Sequence, residues 1–417
     1  MNEIFQSVRQ ASYTLSHLKE SDRTSLLISL ADAIESHMPQ ILAANAADLE
    51  RMSKDNPLYD RLQLDEKRLL DIAAALRDVA QLPNPLGEVF SAKTLHNGLR
   101  LRKQRVAYGV VGVVYEARPN VTFDVFALCF KTGNACILKG GKDADSSNRA
   151  IVELIKGVLH EHGVNENVIC LMPATHEATQ QMLTAVGYID LCIPRGGRRL
   201  IDFVRKTARI PVIETGAGVV HTYFDEFGST AMGARIIDNG KTRRVSVCNA
   251  LDCLIIHKER IGALPQLLAP LAQKHVHIYA DTPAYRILDA NGYTAELTEV
   301  TRDMEDEVYG TEFMSLTMAV RTVDSLDGAL RHIRRYGSGH SEAIITDSEH
   351  NARLFQQQVD AACVYWNAPT SFTDGGEFGL GAEIGISTQK LGPRGPMGLE
   401  ALTTYKWLID GDGQTRQ

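Results

Sequence analysis

The sequence lacks the features that mark membrane, disulfide-bonded or metal-binding proteins. It has no uncharged apolar run of the ~18–20 residues that span a bilayer, and residues 1–20 lack the apolar core of a signal peptide. Its 7 cysteines include no CxxC pair, and its histidines show no HExxH or Cys/His spacing, so we expect no metal site. Most cysteines stand in apolar strings and are expected to be buried. These absences predict a cytoplasmic chain without a disulfide framework.

The chain also has no excess of positively charged residues. The chain carries 44 basic and 51 acidic residues, a net charge of -7, and therefore has no general attraction to nucleic acid or to an anionic membrane. Its 417 residues exceed the usual size of one domain and predict two or three. We therefore expect a globular protein of several domains that binds neither nucleic acid nor membrane.

The pattern of apolar residues predicts an α/β fold. Residues 1–80 have helical spacing, whereas residues 108–213 and 251–366 each alternate β-type runs with helical ones, which is typical of two parallel sheets covered by helices. The predicted organisation is a cofactor-binding domain of residues 1–97 and 108–230, a catalytic domain of residues 231–365, a small β flap of residues 98–107 and 386–417, and a Gly-rich return segment of residues 366–385.

One cysteine differs from the others in its setting. Cys248 follows the basic run Lys241-Thr-Arg-Arg244 and precedes a predicted strand. Because nearby cations lower the pKa of a thiol, this setting favours a reactive thiolate. A buried cysteine beside a solvated basic run fits the local sequence equally well.

Other polar residues stand at the ends of predicted strands. Asn120 lies in a predicted loop, where its carboxamide could donate to an oxyanion or could simply be a turn residue after Pro119. Glu214 and Glu312 flank strand ends and could be caps. His340 lies in a polar glycine loop between a helix and a strand, a common setting for active-site groups.

Two basic glycine motifs end predicted strands and precede predicted helices. They are Lys139-Gly-Gly-Lys142 and Arg195-Gly-Gly-Arg198, and there is no GxGxxG. Helix N-terminal amides and basic side chains bind phosphate groups at such positions. A glycine pair there is usually only a turn, but two basic pairs in one half of the chain favour a phosphate-rich ligand.

In combination these motifs resemble the aldehyde dehydrogenase superfamily, and most closely its gamma-glutamyl phosphate reductase family. The resemblance spans nearly the whole chain. Its most specific part is residues 323–344, and it includes residues 115–122, 193–197, 214–216, 241–250 and 373–385. The chain departs from the family pattern at Val245, where a proline is common, and at Val220, where a cysteine often precedes the histidine.

The resemblance implies roles for individual residues. Cys248 matches the nucleophile, Asn120 the oxyanion-hole amide, and Glu214 the general base of hydrolytic relatives. The implied cofactor-binding residues are Lys139, Gly140, Gly196, Glu312 and Phe313, and Lys139 with Lys142 could pair with the 2′-phosphate of NADP. The candidate substrate-binding residues are Arg118, Arg195, Lys241, Arg244 and His340.

The implied activity is reduction of L-glutamyl 5-phosphate by NADPH to L-glutamate 5-semialdehyde and phosphate, through a thioester on Cys248, in proline biosynthesis. Glu214 leaves open a hydrolytic, NAD(P)-dependent aldehyde dehydrogenase. A nucleotide-binding protein without catalysis is the third alternative, against which the combination of Asn120, Cys248 and Glu312 argues. The fold implied is aldehyde dehydrogenase-like, with residues 98–105 and 401–409 paired in a flap that favours a homo-oligomer. A transient contact with glutamate 5-kinase is a further implied partner.

Overall fold

The structure, a computed structural model, describes residues 1–56 and 59–416. In these residues the α-helices are Asn2–Thr14 (α1), Glu20–Ser36 (α2), Met38–Leu49 (α3), Tyr59–Leu62 (α4), Glu66–Gln81 (α5), Asn120–Lys131 (α6), Asp145–Glu161 (α7), His176–Leu183 (α8), Arg198–Thr207 (α9), Thr230–Thr242 (α10), Leu264–Gln273 (α11), Thr282–Ala290 (α12), Glu305–Tyr309 (α13), Leu326–Tyr336 (α14) and Glu349–Gln358 (α15). None of these helices is both long and apolar enough to cross a membrane.

The β-strands are short and fall into parallel and antiparallel sets. They are Val89–Thr94 (β1), Arg100–Ala107 (β2), Val110–Tyr115 (β3), Ala135–Lys139 (β4), Ile169–Leu171 (β5), Leu191–Arg195 (β6), His221–Phe224 (β7), Cys253–His257 (β8), His277–Ala280 (β9), Leu297–Glu299 (β10), Thr317–Val323 (β11), Ser341–Ile345 (β12), Cys363–Trp366 (β13), Ile386–Ser387 (β14), Gly395–Pro396 (β15) and Thr403–Asp410 (β16).

The chain divides into two compact units. The first comprises the described residues of Met1–Thr215, Gly379–Gly385 and Leu391–Gln417, and the second comprises Gly216–Phe378 and Ile386–Lys390. The sequence placed this boundary at residue 230. It falls at Gly216 because β7 hydrogen-bonds to β8 and β12 within the sheet of the second unit.

A four-stranded parallel sheet of order β5-β4-β3-β6 forms the centre of the first unit. Every residue of β3 is buried, because helices cover both faces of a parallel sheet. Helices such as α2, which buries Leu27, Leu30 and Ile34 at helical spacing, complete the core. The helical spacing predicted for residues 1–80 is interrupted after Ser36, where α2 ends, and Pro39 stands in the first turn of α3.

The first unit also carries a three-stranded antiparallel sheet of order β1-β2-β16. Strand β16 pairs with β2 from Thr403 opposite Ala107 to Asp410 opposite Arg100, which confirms the predicted pairing of residues 98–105 with 401–409. Strand β16 exposes the large side chains of Tyr405, Trp407 and Ile409.

A seven-stranded parallel sheet of order β10-β9-β11-β8-β7-β12-β13 forms the second unit. Alternate residues of its strands enter two separate hydrophobic cores, with Ile255 in one and Ile256 in the other. The two parallel sheets confirm the predicted α/β class. The sequence did not reveal β7, β9 or β10, because these strands are short and lack continuous apolar runs. Residues 211–213, predicted as a strand, form only one bridge, from Val212 to Cys192.

Candidate active site

Cys248 lies in the turn between α10 and β8, and its side chain is partly exposed. All seven cysteines are among the described residues, and only Cys170 shares this partial exposure; the other five are buried, as predicted. Burial raises the pKa of thiols such as Cys129 and Cys136 and keeps them protonated. Exposure therefore separates Cys248 from the structural cysteines of the chain.

The residue after Cys248 anchors this turn. Asn249 is buried, and its Nδ2 donates hydrogen bonds to the backbone oxygens of Ser371, at 3.2 Å, and Thr373, at 3.0 Å. Thr370 Oγ1 in turn donates to the backbone oxygen of Asn249 at 2.9 Å. The position of Cys248 is thus fixed on its C-terminal side by three hydrogen bonds to one segment.

Gly218 packs directly against the backbone of Cys248. A Cβ atom at this glycine would lie 1.7 Å from the carbonyl oxygen of Cys248 and 2.9 Å from its Cα. Both distances are below van der Waals contact, so only glycine fits without a backbone shift. Sequence reasoning missed this residue; the signal was a Gly-Ala-Gly run, residues 216–218, immediately before β7.

Lys241 lies in the last turn of α10, and its side chain is fully buried. Its Nζ is 3.9 Å from Asp252 Oδ1 and has no hydrogen-bond partner among the described residues. Burial lowers the pKa of Lys241 to about 8 and raises that of Asp252 to about 7, although each charge partly stabilises the other. An anion near Nζ would favour the ammonium form.

Asp252 also holds the segment that carries Glu312 and Phe313. Its carboxylate accepts the backbone N–H of Phe313 at 3.1 Å and that of Val220 at 3.4 Å. The Phe313 ring stacks on Tyr279, with centroids 5.9 Å apart, and Lys241 Nζ lies 5.9 Å from the same ring centroid. The structure therefore brings Lys241 and Phe313 together. Sequence reasoning missed Asp252, a carboxylate immediately before the apolar strand β8.

Arg244 and His340 differ in their exposure to solvent. Arg244 is exposed, whereas the His340 side chain has no exposed surface. His340 Nδ1 lies 2.8 Å from Ser341 Oγ, and Ser341 Oγ lies 2.7 Å from Thr373 Oγ1. Burial lowers the pKa of His340 to about 4, so the imidazole is neutral at physiological pH. Any contact with an anionic substrate would therefore use a neutral N–H.

In the first unit, Asn120 is the first residue of α6, so its predicted place in a loop is wrong. Asn120 Nδ2 donates to Asp124 Oδ2 at 3.1 Å. Burial raises the pKa of Asp124 to about 6, against the opposing effects of Asn120 and Arg195. The carboxylate of Asp124 therefore orients the Asn120 amide.

The four-stranded parallel sheet places two predicted anion-binding residues at the carboxyl ends of its strands. Lys139 ends β4 opposite Val114, and Arg195 ends β6 opposite Tyr115, so they flank the end of β3. Lys139 is half-buried, and burial together with the charge of Lys142 lowers its pKa. The negative charge of a phosphate at these strand ends would oppose both effects and favour the charged form of Lys139.

The glycines of these loops are closely packed. A Cβ at Gly196 would lie 2.6 Å from Glu116 Oε2, and one at Gly140 would lie 2.3 Å from Asn148 Nδ2. The backbone N–H of Gly197, before α9, donates to Glu116 Oε2 at 2.9 Å. The N-terminus of α9 therefore binds a carboxylate, which is consistent with an anion site. The side chain of Arg198 lies outside the described part of the chain.

The last two predicted residues also lie in the first unit. Arg118, just before α6, is partly exposed. Glu214 is partly exposed, and its Oε2 is 3.9 Å from Arg205 Nη1.

Comparison with known proteins decides the family. The curated gamma-glutamyl phosphate reductase of Bacteroides fragilis is 55% identical over 417 residues, covering 100% of both chains, and that of Bacteroides thetaiotaomicron is 56% identical over 416 residues, covering 100% of this chain and 99% of the relative. This chain belongs to the gamma-glutamyl phosphate reductase family. No family model matches the chain.

Solved structures agree with this assignment. The gamma-glutamyl phosphate reductase of Thermotoga maritima aligns with a TM-score of 0.94 at 36% identity, covering 100% of this chain and 99% of that one. An acetylating aldehyde dehydrogenase from Geobacillus thermoglucosidasius aligns with a TM-score of 0.72 at 15% identity, covering 100% and 97%. The gamma-glutamyl phosphate reductase family thus has the aldehyde dehydrogenase fold expected from the sequence.

Proposed function

We propose that the chain reduces L-glutamyl 5-phosphate to L-glutamate 5-semialdehyde, with release of phosphate, in proline biosynthesis. The observation that carries this proposal is full-length identity of 55% to a gamma-glutamyl phosphate reductase. A partly exposed Cys248, held between Gly218 and Asn249, supplies the nucleophile that this chemistry needs.

The proposed reaction begins at the sulfur. The thiolate of Cys248 attacks the 5-acyl carbonyl, the carbon–oxygen bond to phosphate breaks, and a thioester forms. Asn120 Nδ2 donates to the oxyanion, and one such donor is typically worth about 2.7–4 kcal/mol. Asp124, which accepts from the same amide at 3.1 Å, acts as a positioning residue. The basic residues Lys241 and Arg244 precede the nucleophile in the chain, and cations near a thiol favour the thiolate form.

We propose NADPH as the cofactor; when bound, it supplies the hydride that reduces the thioester. The residues that would hold its adenosine ribose and pyrophosphate are Lys139, Gly140 and Gly196, at the carboxyl ends of β4 and β6. Repulsion between Lys139 and Lys142 is the observation that fits a 2′-phosphate, because an added anion relieves it. Glu312 and Phe313 would hold the nicotinamide ribose, with Phe313 fixed by Asp252.

Phosphate and the substrate carboxylate need cationic partners. Arg118, Arg195, Lys241 and Arg244 are the proposed ones, since arginine binds both groups in bidentate fashion, and His340 could add a neutral donor. Lys241 differs from the arginines because burial lowers its pKa to about 8. Its charge is therefore present below pH 8 and lost above it.

This gives a prediction for the reverse reaction. The KM for phosphate, measured with glutamate semialdehyde and NADP⁺, should rise as pH passes through about 8, because the Lys241 ammonium is lost. Lys241→Arg should move this rise to higher pH. Lys241→Met should raise KM about 10–100-fold at pH 7, the equivalent of a charged hydrogen bond of about 1.5–3 kcal/mol. The exposed Lys258 provides the control: Lys258→Arg should leave the profile unchanged. A profile identical in wild type and Lys241→Arg would exclude Lys241 from phosphate binding.

A second experiment separates reductase from hydrolytic dehydrogenase. We expect oxidation of glutamate semialdehyde by NADP⁺ to require phosphate, because phosphate is the group that attacks the thioester. Glu214→Gln should leave this rate unchanged, since no water has to be activated. Steady-state rates with and without phosphate check both points. Phosphate-independent oxidation that disappears in Glu214→Gln would establish the hydrolytic activity instead.

Assembly and cellular setting are further proposals. Strands β1 and β16 are the edges of the antiparallel sheet, and β16 exposes Tyr405, Trp407 and Ile409, which supports a homo-oligomer built through this sheet. A transient contact with glutamate 5-kinase would shorten the exposure of the reactive acyl phosphate to water. A cytoplasmic setting, with no nucleic-acid or membrane partner, stays a prediction from composition.

A further inference from the structure

A buried cluster of metal-binding side chains lies in the second unit, and no step of the proposed reaction uses it. His221, Cys253 and His332 each contribute one nitrogen or sulfur atom, and these atoms all lie within 4.8 Å of one another. Their exposed fractions are 0%, 1% and 8%, so the group is shielded from solvent. We call these three residues the His-Cys-His cluster.

The register of the parallel sheet builds this cluster. Cys253 of β8 and Glu342 of β12 are the register partners of His221 on either side of β7. Residues in register on adjacent strands point to the same face, so the three side chains form a row across the sheet. His332 comes from α14, whose buried residues enter the core on the Cys253 face, and its Nε2 lies 3.7 Å from Cys253 Sγ.

Glu342 fixes the orientation of the His221 ring. Its buried carboxylate accepts hydrogen bonds at 3.0 Å from both the Nδ1 and the backbone N–H of His221. With the proton on Nδ1, the lone pair of His221 is on Nε2. That atom is buried without a hydrogen-bond partner among the described residues. Buried polar atoms are rarely unpaired, and a carboxylate behind an imidazole is the usual arrangement of a metal-binding histidine.

We propose that His221 Nε2, Cys253 Sγ and His332 Nε2 bind one Zn²⁺ ion. Zinc accepts histidine nitrogen and cysteine sulfur at about 2.0–2.3 Å, which places neighbouring ligand atoms of a tetrahedron about 3.3–3.6 Å apart. The observed sulfur–nitrogen distance of 3.7 Å is close to this spacing. The Cys253 thiolate and the Glu342 carboxylate together balance the charge of the ion, so the loaded cluster is neutral, as a buried group should be.

The cluster lies beside a surface cavity. A surface cavity of about 290 Å³ has His332 in its lining, together with Thr322 and Tyr336. The arginines of this cavity are each ion-paired with a carboxylate: Arg321 with Glu305, Arg331 with Asp327 and Arg335 with Asp306. Of the three proposed ligand residues, His332 is the one that borders this cavity.

The bound ion would cross-link three elements of the second unit. Strand β7 follows the segment of Gly218, β8 follows the turn of Cys248, and α14 packs on the sheet they share. Zinc would thus stabilise the strands that carry the two segments in contact at Cys248. Its role is structural, and it takes no part in thioester chemistry.

Cobalt substitution tests the proposal, because Co²⁺ bound by a thiolate gives a charge-transfer absorption band and tetrahedral Co²⁺ gives strong visible bands. We expect the chelator-treated full chain to bind one Co²⁺ per chain, which Zn²⁺ displaces. Cys253→Ala and His332→Gln should each lose the tetrahedral spectrum. Cys248→Ser should retain it, which excludes the reactive thiol as the source. Cys129→Ala, a buried cysteine of the first unit, is the matched control and should also retain it.

The position of Glu342 gives a finer test. Glu342→Gln should weaken Zn²⁺ binding about 10–100-fold while the thiolate band remains. Circular dichroism establishes that each variant is folded, and His332→Gln decides the matter if Cys253→Ala does not fold. Absence of a tetrahedral spectrum in the parent chain, its persistence in His332→Gln, or its loss in Cys248→Ser would each overturn the zinc site.

Discussion

Replacement of Cys248 by alanine should reduce NADP⁺-dependent oxidation of glutamate semialdehyde by about 10⁴–10⁶-fold, the loss typical of a removed nucleophile. No other cysteine is expected to replace it, because five are buried and burial raises the pKa of the Cys170 thiol. Cofactor binding should persist, since the proposed NADPH contacts do not include the sulfur. The measurement is the initial rate of NADPH formation with phosphate present, together with quenching of protein fluorescence by NADPH.

Cys170→Ser is the matched control for this substitution. Cys170 is the other partly exposed cysteine, and its replacement should leave the rate unchanged. Turnover that survives in Cys248→Ala would remove the covalent mechanism, even if the family assignment stands.

The second large effect is expected at a residue without a side chain. Gly218→Ala should lower the rate about 10²-fold, because the new Cβ would meet the Cys248 carbonyl oxygen at 1.7 Å and push the turn away. The clash is with backbone atoms, so no side-chain rotation relieves it. Semialdehyde oxidation measures the loss, and alkylation of Cys248 by iodoacetamide reports the changed position of the thiol.

Gly262 provides the comparison for Gly218. It lies in the same unit, and a Cβ there would meet nothing within 4 Å. Gly262→Ala should therefore keep full activity and stability. Equal activity of the two variants would show that the Cys248 turn tolerates displacement, contrary to the packing argument.

The sequence predicted the elements whose apolar pattern is strong. Strand β13, within the alternating pattern of residues 251–366, is such a case, because Cys363–Trp366 is a continuous apolar run. Strand β7 was missed because it begins with His221, whose burial depends on a carboxylate 121 residues away in the chain. The start of α6 was missed because Pro119 looked like a turn residue, whereas it is the N-cap of the helix.

The residues of the candidate site also divide into those that the sequence predicted and those that only the structure revealed. Motifs predicted Cys248, Asn120 and Lys139 as site residues, since each stands next to a recognisable loop or basic run. They could not identify Asp252, whose carboxylate accepts the Phe313 N–H across 61 residues of chain. Likewise, the position of His340 in a glycine loop suggested an accessible group, and only packing shows that the imidazole is buried and neutral.

The sequence by itself determined the α/β class and the family, and it predicted the nucleophile, because periodicity and motifs are local properties of a chain. Only the tertiary structure decided which groups meet: Lys241 with Asp252, Gly218 with Cys248, and His221 with Glu342, Cys253 and His332. These partners lie on different strands and helices, and strand register and side-chain packing bring them together. Neither the strand register nor the side-chain packing can be predicted from the spacing of residues along the chain.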